Sequence, residues 1–211
     1  MKSILAAVAA AALAVAAPAA ASAATLEVTN AKPCFGSGDT VNFLGTGFTA
    51  GGIVDFSRDG ELIAADPPIR AAVDGSVRAR LEIFKPTGRK RRVYGATDRT
   101  DPTRTASTRV RVSELKVDLR PRRARPGSAR TIRAVGFTTG TTLWAHIAFK
   151  GDVRTLKIGA LEGPCRGLTR RKRLFSAQPA FGRHIIHFDT HRRYRKKVAQ
   201  RVSFSFRIFP S

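Results

Sequence analysis

Residues 77–83 alternate between apolar and charged: Val77, Ala79, Leu81 and Ile83 are separated by Arg78, Arg80 and Glu82. A period of two sends one set to each face of a strand, so this segment predicts a strand with one buried face. The alternation recurs at Val110 and Val112, between Arg109 and Arg111. It recurs again at Val202, Phe204, Phe206 and Ile208, between Ser203, Ser205 and Arg207. Asp59-Gly60 and Asp74-Gly75 sit between apolar runs and predict hairpin turns, because Gly accepts the positive φ such turns require. Beyond residue 24 no stretch keeps a 3.6-residue period. Short strands separated by turn signals predict an all-β sandwich.

The chain also resembles itself at an offset of 89 residues. Leu26 and Val28 fall on Leu115 and Val117, Gly38 on Gly127, and Phe43 on Ile132. Gly47-Phe48-Thr49 falls on Gly136-Phe137-Thr138, and Gly51 on Gly140. A period of this length exceeds a solenoid repeat of about 20–50 residues. It matches one small sandwich domain of about 100 residues. The expected organisation is a segment 1–24, a first immunoglobulin-like β-sandwich over 25–113 and a second over 114–211. Gly47 and Gly136 would let the chain leave the sheet sharply ahead of Phe48 and Phe137, both expected in the core.

The stretch from Gly38 to Gly51, Gly-Asp-Thr-Val-Asn-Phe-Leu-Gly-Thr-Gly-Phe-Thr-Ala-Gly, resembles the opening of bacterial immunoglobulin-like repeats of the IPT/TIG or Big type. In the second copy Arg130 and Ala134 replace an apolar residue and a glycine. The resemblance implies a tandem-domain secreted protein whose modules act as spacers, adhesion domains or carbohydrate-associated domains. It brings no catalytic residues with it.

Residues 1–24 carry the marks of a secretory signal peptide. Lys2 precedes an apolar run from Ile4 to Ala17, Pro18 breaks it, and Ala21-Ser22-Ala23 has the small-x-small pattern a signal peptidase reads. Cleavage is expected after Ala23 or Ala24, with the protein secreted or held at the cell envelope. The run is short for a membrane span of about 20 residues. Cys34 follows Asn30-Ala31-Lys32-Pro33, which is not a lipobox. With 13 Phe in the whole chain, a real core is expected and global disorder is not.

Charge separates the two copies. The chain carries a formal charge of +23. Residues 25–113 hold 14 Lys and Arg against 10 Asp and Glu, whereas residues 114–211 hold 23 against 5. A codon bias toward Arg would affect both halves alike and does not explain the missing carboxylates. Three basic clusters stand out in the second copy: Arg120, Arg122, Arg123 and Arg125; Arg170, Arg171, Lys172 and Arg173; and Arg192, Arg193, Tyr194, Arg195, Lys196 and Lys197. A fourth run, Arg89-Lys90-Arg91-Arg92, lies in the first copy. Clusters of this kind point to an anionic partner outside the cell: a cell-wall polymer, an acidic polysaccharide or a membrane surface. No nucleic-acid reader motif is present, so nucleic acid is expected to bind only non-specifically, through its phosphates. The competing reading is a structural spacer or protein-interaction module with an incidental basic surface and an unknown protein partner.

Cys34 and Cys165 are the only cysteines, one in each copy. In an oxidising compartment they would pair and clamp the domains together; the alternative is two free buried thiols. His184 and His187 would point to opposite faces of a strand, and Arg192 and Arg193 would repel a cation near His191. No metal site or cofactor is therefore expected. Asp55, Asp59, Glu61 and Asp66 lack the ligand order of a calcium loop. Glu114, Asp118, Asp152, Glu162 and Asp189 are scattered, and no nucleophile elbow, zincin pair or phosphate loop occurs, so no enzyme is expected. Trp144 and Phe149 fit a core strand.

Overall fold

The computed structural model describes residues 23–84 and 86–209. The targeting segment expected over residues 1–24 lies outside them, apart from Ala23 and Ala24. Among the described residues every regular element is a strand.

The first sandwich has seven strands. β1 (Thr25–Val28), β2 (Thr40–Thr46) and β5 (Val77–Glu82) form one sheet in the order β1-β2-β5. β3 (Val54–Arg58), β4 (Glu61–Ile63), β6 (Arg89–Asp98) and β7 (Thr105–Ser113) form the other, in the order β4-β3-β6-β7. The second sandwich repeats this plan. β8 (Lys116–Arg120), β9 (Ala129–Val135) and β12 (Leu168–Arg173) pair as β12-β9-β8. β10 (Thr142–Phe149), β11 (Asp152–Ala160), β13 (Gly182–Asp189) and β14 (Val202–Ile208) pair as β11-β10-β13-β14. Each copy is a three-stranded sheet packed on a four-stranded one, the immunoglobulin-like architecture expected from the alternation and the repeat.

The inward positions build two separate cores. Val41, Phe43, Phe48, Phe56 and Tyr94 lead the first, and Ile132, Phe137, Leu143, Ile186 and Phe188 the second. The repeat is written in the backbone as well as in the side chains. Gly38, Gly47 and Gly51 have φ of 79°, 81° and 70°, and their counterparts Gly127, Gly136 and Gly140 have 76°, 83° and 70°.

Three expectations need correction. Strand pairing sets Leu26 opposite Gly45 and Val28 opposite Phe43, but Val117 opposite Ala134 and Leu119 opposite Ile132. The counterparts of Leu26 and Val28 are therefore Val117 and Leu119, because the connection to the next strand is two residues shorter in the second copy. Asp59-Gly60 does make the β3–β4 hairpin, with positive φ at both residues. Asp74-Gly75 makes a turn but no hairpin, since β4 and β5 lie in different sheets. Trp144 is half-buried on the outer face of the four-stranded sheet, because β10 alternates without interruption and its core-facing positions are Leu143, Ala145 and Ile147.

The two sandwiches meet through a close seam. Cys34, in the β1–β2 connection, and Cys165, in the β11–β12 connection, form a disulfide with Cα atoms 5.0 Å apart. Beside it Thr138 Oγ1 donates to Asp39 Oδ2 at 3.3 Å, and Asp39 pairs with Lys32 Nζ at 2.9 Å. Gly136 faces the connecting segment so closely that a Cβ there would lie 2.1 Å from the Glu114 carbonyl oxygen.

Candidate functional site

Antiparallel register decides which basic side chains share a surface, because directly opposed residues face the same way. On β12, Leu168, Arg170 and Lys172 stand opposite Ala134, Ile132 and Arg130, whose side chains are buried. Arg170 and Lys172 therefore occupy core-facing positions of an edge strand, and their exposed heads reach water at the open side of the sandwich. Arg171 and Arg173 point the other way. The run Arg170–Arg173 is split between two faces, because a strand alternates whatever its composition.

The outward half of that run meets part of the first cluster. Arg120 stands opposite Thr131, and Thr131 opposite Arg171, so Arg120, Thr131 and Arg171 form one row across the outer face of β8-β9-β12. Adjacent strands lie about 4.8 Å apart, which sets the two Arg Cα atoms roughly 10 Å from each other. Below this row a shallow groove is lined by Arg125, Arg171 and Arg173 with Gly127 and Ala177. Gly127 packs so close to Ala177 that a Cβ there would meet its Cα at 2.8 Å, which fixes the 121–128 loop against the loop after β12. The corresponding row of the first sandwich is Thr29, Asn42 and Arg80. One fold thus carries one arginine in this row in the first copy and two in the second.

Arg122 and Arg123 turn toward the opposite edge of the domain, where they line a cavity beside β14. The third cluster lies elsewhere again. Residues 190–201 join β13 to β14 at the end of the sandwich opposite the 121–128 loop, a strand length of about 20 Å away. This loop folds back over the outer face of the four-stranded sheet. The Tyr194 ring packs against His146 and His187, with centroids 5.6 and 5.5 Å away, and the Arg201 guanidinium lies 5.0 Å above it. Tyr194 is therefore committed to the fold, whereas Arg192, Arg193, Arg195, Lys196 and Lys197 are exposed. The structure brings Arg120, Arg125, Arg171 and Arg173 together and leaves the third cluster apart.

The most buried polar group of the domain went unread in the sequence. His146 and Asp189 are fully buried. His146 Nε2 lies 3.3 Å from Asp189 Oδ1 and 3.0 Å from the His191 carbonyl oxygen. Two acceptors there mean that Nε2 carries a proton, and Nδ1 lies 2.9 Å from the Thr155 hydroxyl oxygen. Asp189 also accepts the His191 amide at 2.8 Å and Arg201 Nη2 at 2.7 Å. Burial opposes its charge, but the Arg201 and His191 bonds hold its pKa below the usual carboxylate value. His187 is shifted down, first by burial and then by the Arg201 and His146 charges. An aspartate–histidine–hydroxyl line has the members of a relay that activates a nucleophile. Here both Asp189 oxygens are engaged in holding residues 190–201, so the network anchors that loop.

Among the described residues, no group of three or more His, Cys, Asp and Glu side chains converges as a metal site requires. Two of the acidic residues in the Asp55–Asp66 stretch have cationic partners: Asp55 pairs with Arg99 at 2.6 Å and Asp59 with Arg92 at 2.6 Å. The run Arg89–Arg92 belongs to β6, where Lys90 and Arg91 line a recess at the domain seam with Arg111, Pro164 and Cys165.

No family model matches the chain, and no curated protein matches its sequence. Several solved structures align with parts of the chain at low TM-scores. A tetra-tandem repeat from the extending region of a large adhesion protein is 14% identical over 87% of this chain, which spans 47% of that chain, with a TM-score of 0.31. Bovine butyrophilin is 9% identical over 92% of this chain and 100% of its own, with a TM-score of 0.32. Fibronectin(III)-like modules of CbhA from Clostridium thermocellum are 13% identical over 77% of this chain and 83% of their own, with a TM-score of 0.28. At these identities the assignment as tandem immunoglobulin-like β-sandwiches rests on the strand pairing of the chain itself.

Proposed function

We propose that this chain is a non-catalytic protein of the cell exterior or envelope that binds an anionic polymer through the outer face of β8-β9-β12. The observation that carries the reading is the Arg120–Thr131–Arg171 row with Arg125 and Arg173 beside it. Guanidinium groups at strand spacing present repeated paired donors to sulfate, phosphate or carboxylate groups. One carboxylate borders this row: Asp118, two residues before Arg120 on the same face of β8, pairs with Lys116 at 3.9 Å and shares a recess with Arg133 and Glu162. A cell-wall polymer, an acidic polysaccharide and an anionic membrane surface all offer that chemistry; DNA would bind through phosphates without sequence preference. Export is supported by the signal-like first segment and by a disulfide that persists outside the reducing cytosol. The kinship suggested by Gly38–Gly51, with repeats of the IPT/TIG or Big type, fits such a module.

A second reading has its own observation. The Cys34–Cys165 bond and the Thr138–Asp39 contact hold the sandwiches in one relation, as a rigid spacer requires. Two charge-reversal variants with equal net charge separate the readings. Arg120→Glu/Arg171→Glu/Arg173→Glu is expected to release the protein from heparin at much lower salt than wild type. For single-stranded DNA, its slope of log K against log salt should shrink by about 2, roughly 0.7 per lost phosphate contact. Arg192→Glu/Arg193→Glu/Lys197→Glu should stay near wild type. Equal losses in both variants would reduce the binding to net charge, and retention of wild type on neither support would leave the spacer.

A further inference from the structure

The two sandwiches treat the same edge differently. In the first, the β1–β2 connection returns to seal the outer edge of β7. Phe35 bridges Val112 in parallel, its amide donates to the Arg111 carbonyl at 2.9 Å, and the Ser113 amide donates to its own carbonyl at 2.9 Å. The Phe35 ring is buried in the core, and Val110 and Val112 beneath it are buried too. In the second sandwich the shorter β8–β9 connection does not return. Arg130 Nη1 instead holds it by bonding the Arg122 carbonyl at 2.7 Å and the Pro121 carbonyl at 2.5 Å. Among the described residues β14 pairs with β13 alone, and Phe204, Phe206 and Ile208 stay half-buried.

The vacant edge is a built groove. A cavity of about 780 Å³ opens between β8 and β14, floored by Leu119, Phe204 and Phe206. Arg122, Arg123 and Arg207 stand around it with one carboxylate, Asp118, which pairs with Lys116 at 3.9 Å, and the Arg130 guanidinium lies 5.3 Å from the centre of the Phe206 ring. A free strand edge offers main-chain donors and acceptors in a fixed row, whose alternation and spacing an extended peptide main chain matches. The guanidinium rim selects against a second copy of this basic domain and in favour of carboxylates.

We propose that this groove receives an extended acidic segment of a partner protein, added as a strand to the free edge of β14 with an apolar side chain seated among Leu119, Phe204 and Phe206. The Phe35 segment of the first sandwich shows the form of the occupant: one aromatic residue between two main-chain hydrogen bonds. This surface is distinct from the Arg120–Arg171 row and takes a protein in place of a polymer.

The test uses the full disulfide-bonded chain and a seven-residue peptide with a central Phe, Val on both sides of it and Asp at each end. Binding should slow amide hydrogen exchange at residues 203–209. Arg207→Glu, at an exposed position that no fold contact requires, should weaken binding about tenfold. The same peptide with alternate backbone nitrogens methylated should not bind. Equal affinity for the methylated peptide would overturn the proposal, because the contact would then not be strand addition. So would unchanged exchange in β14, self-association of the chain in sedimentation that excludes the peptide, or capture of anionic lipid vesicles in preference to the peptide.

Discussion

Asp98 shows how much one buried carboxylate organises. It is fully buried and accepts the amides of Thr49 at 2.6 Å, Thr100 at 2.8 Å and Asp101 at 3.2 Å, tying the β2–β3 corner to the β6–β7 turn. Burial alone would raise its pKa, but those bonds to Thr49, Thr100 and Asp101 bring it down to about 2 from 3.8. A depressed carboxylate stabilises the fold above its unfolded pKa and loses that contribution as pH falls through the folded value. Urea midpoints should therefore fall between about pH 4 and pH 2 in wild type. Asp98→Asn should cost roughly 2 kcal/mol at pH 7, the scale of a lost charged hydrogen-bond set, with the gap narrowing toward pH 2. Parallel curves for the two proteins would refute this role. Nothing in the local sequence announced it, since an Asp beside a turn looks the same whether it caps amides or faces water. His146, Asp189 and Arg201 were hidden for a related reason: they meet only because residues 190–201 fold back over a sheet face that alternation assigns to solvent.

At the scale of elements, glycine spacing was the most legible signal. Positive φ excludes most side chains whatever their surroundings, so Gly38, Gly47 and Gly51 and their partners at 127, 136 and 140 mark the same corners twice. The apolar pattern was less exact. A strand looks alike every two residues, and so the two-residue shift that makes Val117 the counterpart of Leu26 left no trace in it. The basic runs misled in the same way: Arg170–Arg173 reads as one patch in sequence, yet the pleat divides it. Two glycines with similar φ should respond differently to substitution. At Gly51 nothing lies within 4 Å of a new Cβ, so Gly51→Ala should cost about 1 kcal/mol for its left-handed conformation. Gly136→Ala must also push the Glu114 carbonyl away and should cost at least twice as much, roughly 2 kcal/mol or more. Equal thermal shifts for the two variants would contradict the close approach.

Across the whole molecule, duplication and divergence act on different parts. Strand order, corner glycines and core positions are held in common, whereas surface rows and edges differ. The first copy seals its β7 edge with Phe35 and has one arginine in its outer row; the second, among the described residues, leaves β14 paired with β13 alone and has two arginines in the equivalent row. The seam at Cys34 and Cys165 joins the copies where their loops meet, leaving the Arg120–Arg125 loop at the far end of the second sandwich. Charge asymmetry was plain from composition, but its placement needed strand register, which composition does not carry. The central claim is that placement. Titrating the intact protein with a heparin fragment while following backbone amide resonances tests it residue by residue. The largest changes should fall at residues 120–131 and 171–177, with residues 192–197 little affected. Changes spread evenly over every exposed Arg and Lys, or centred on 192–197, would contradict it.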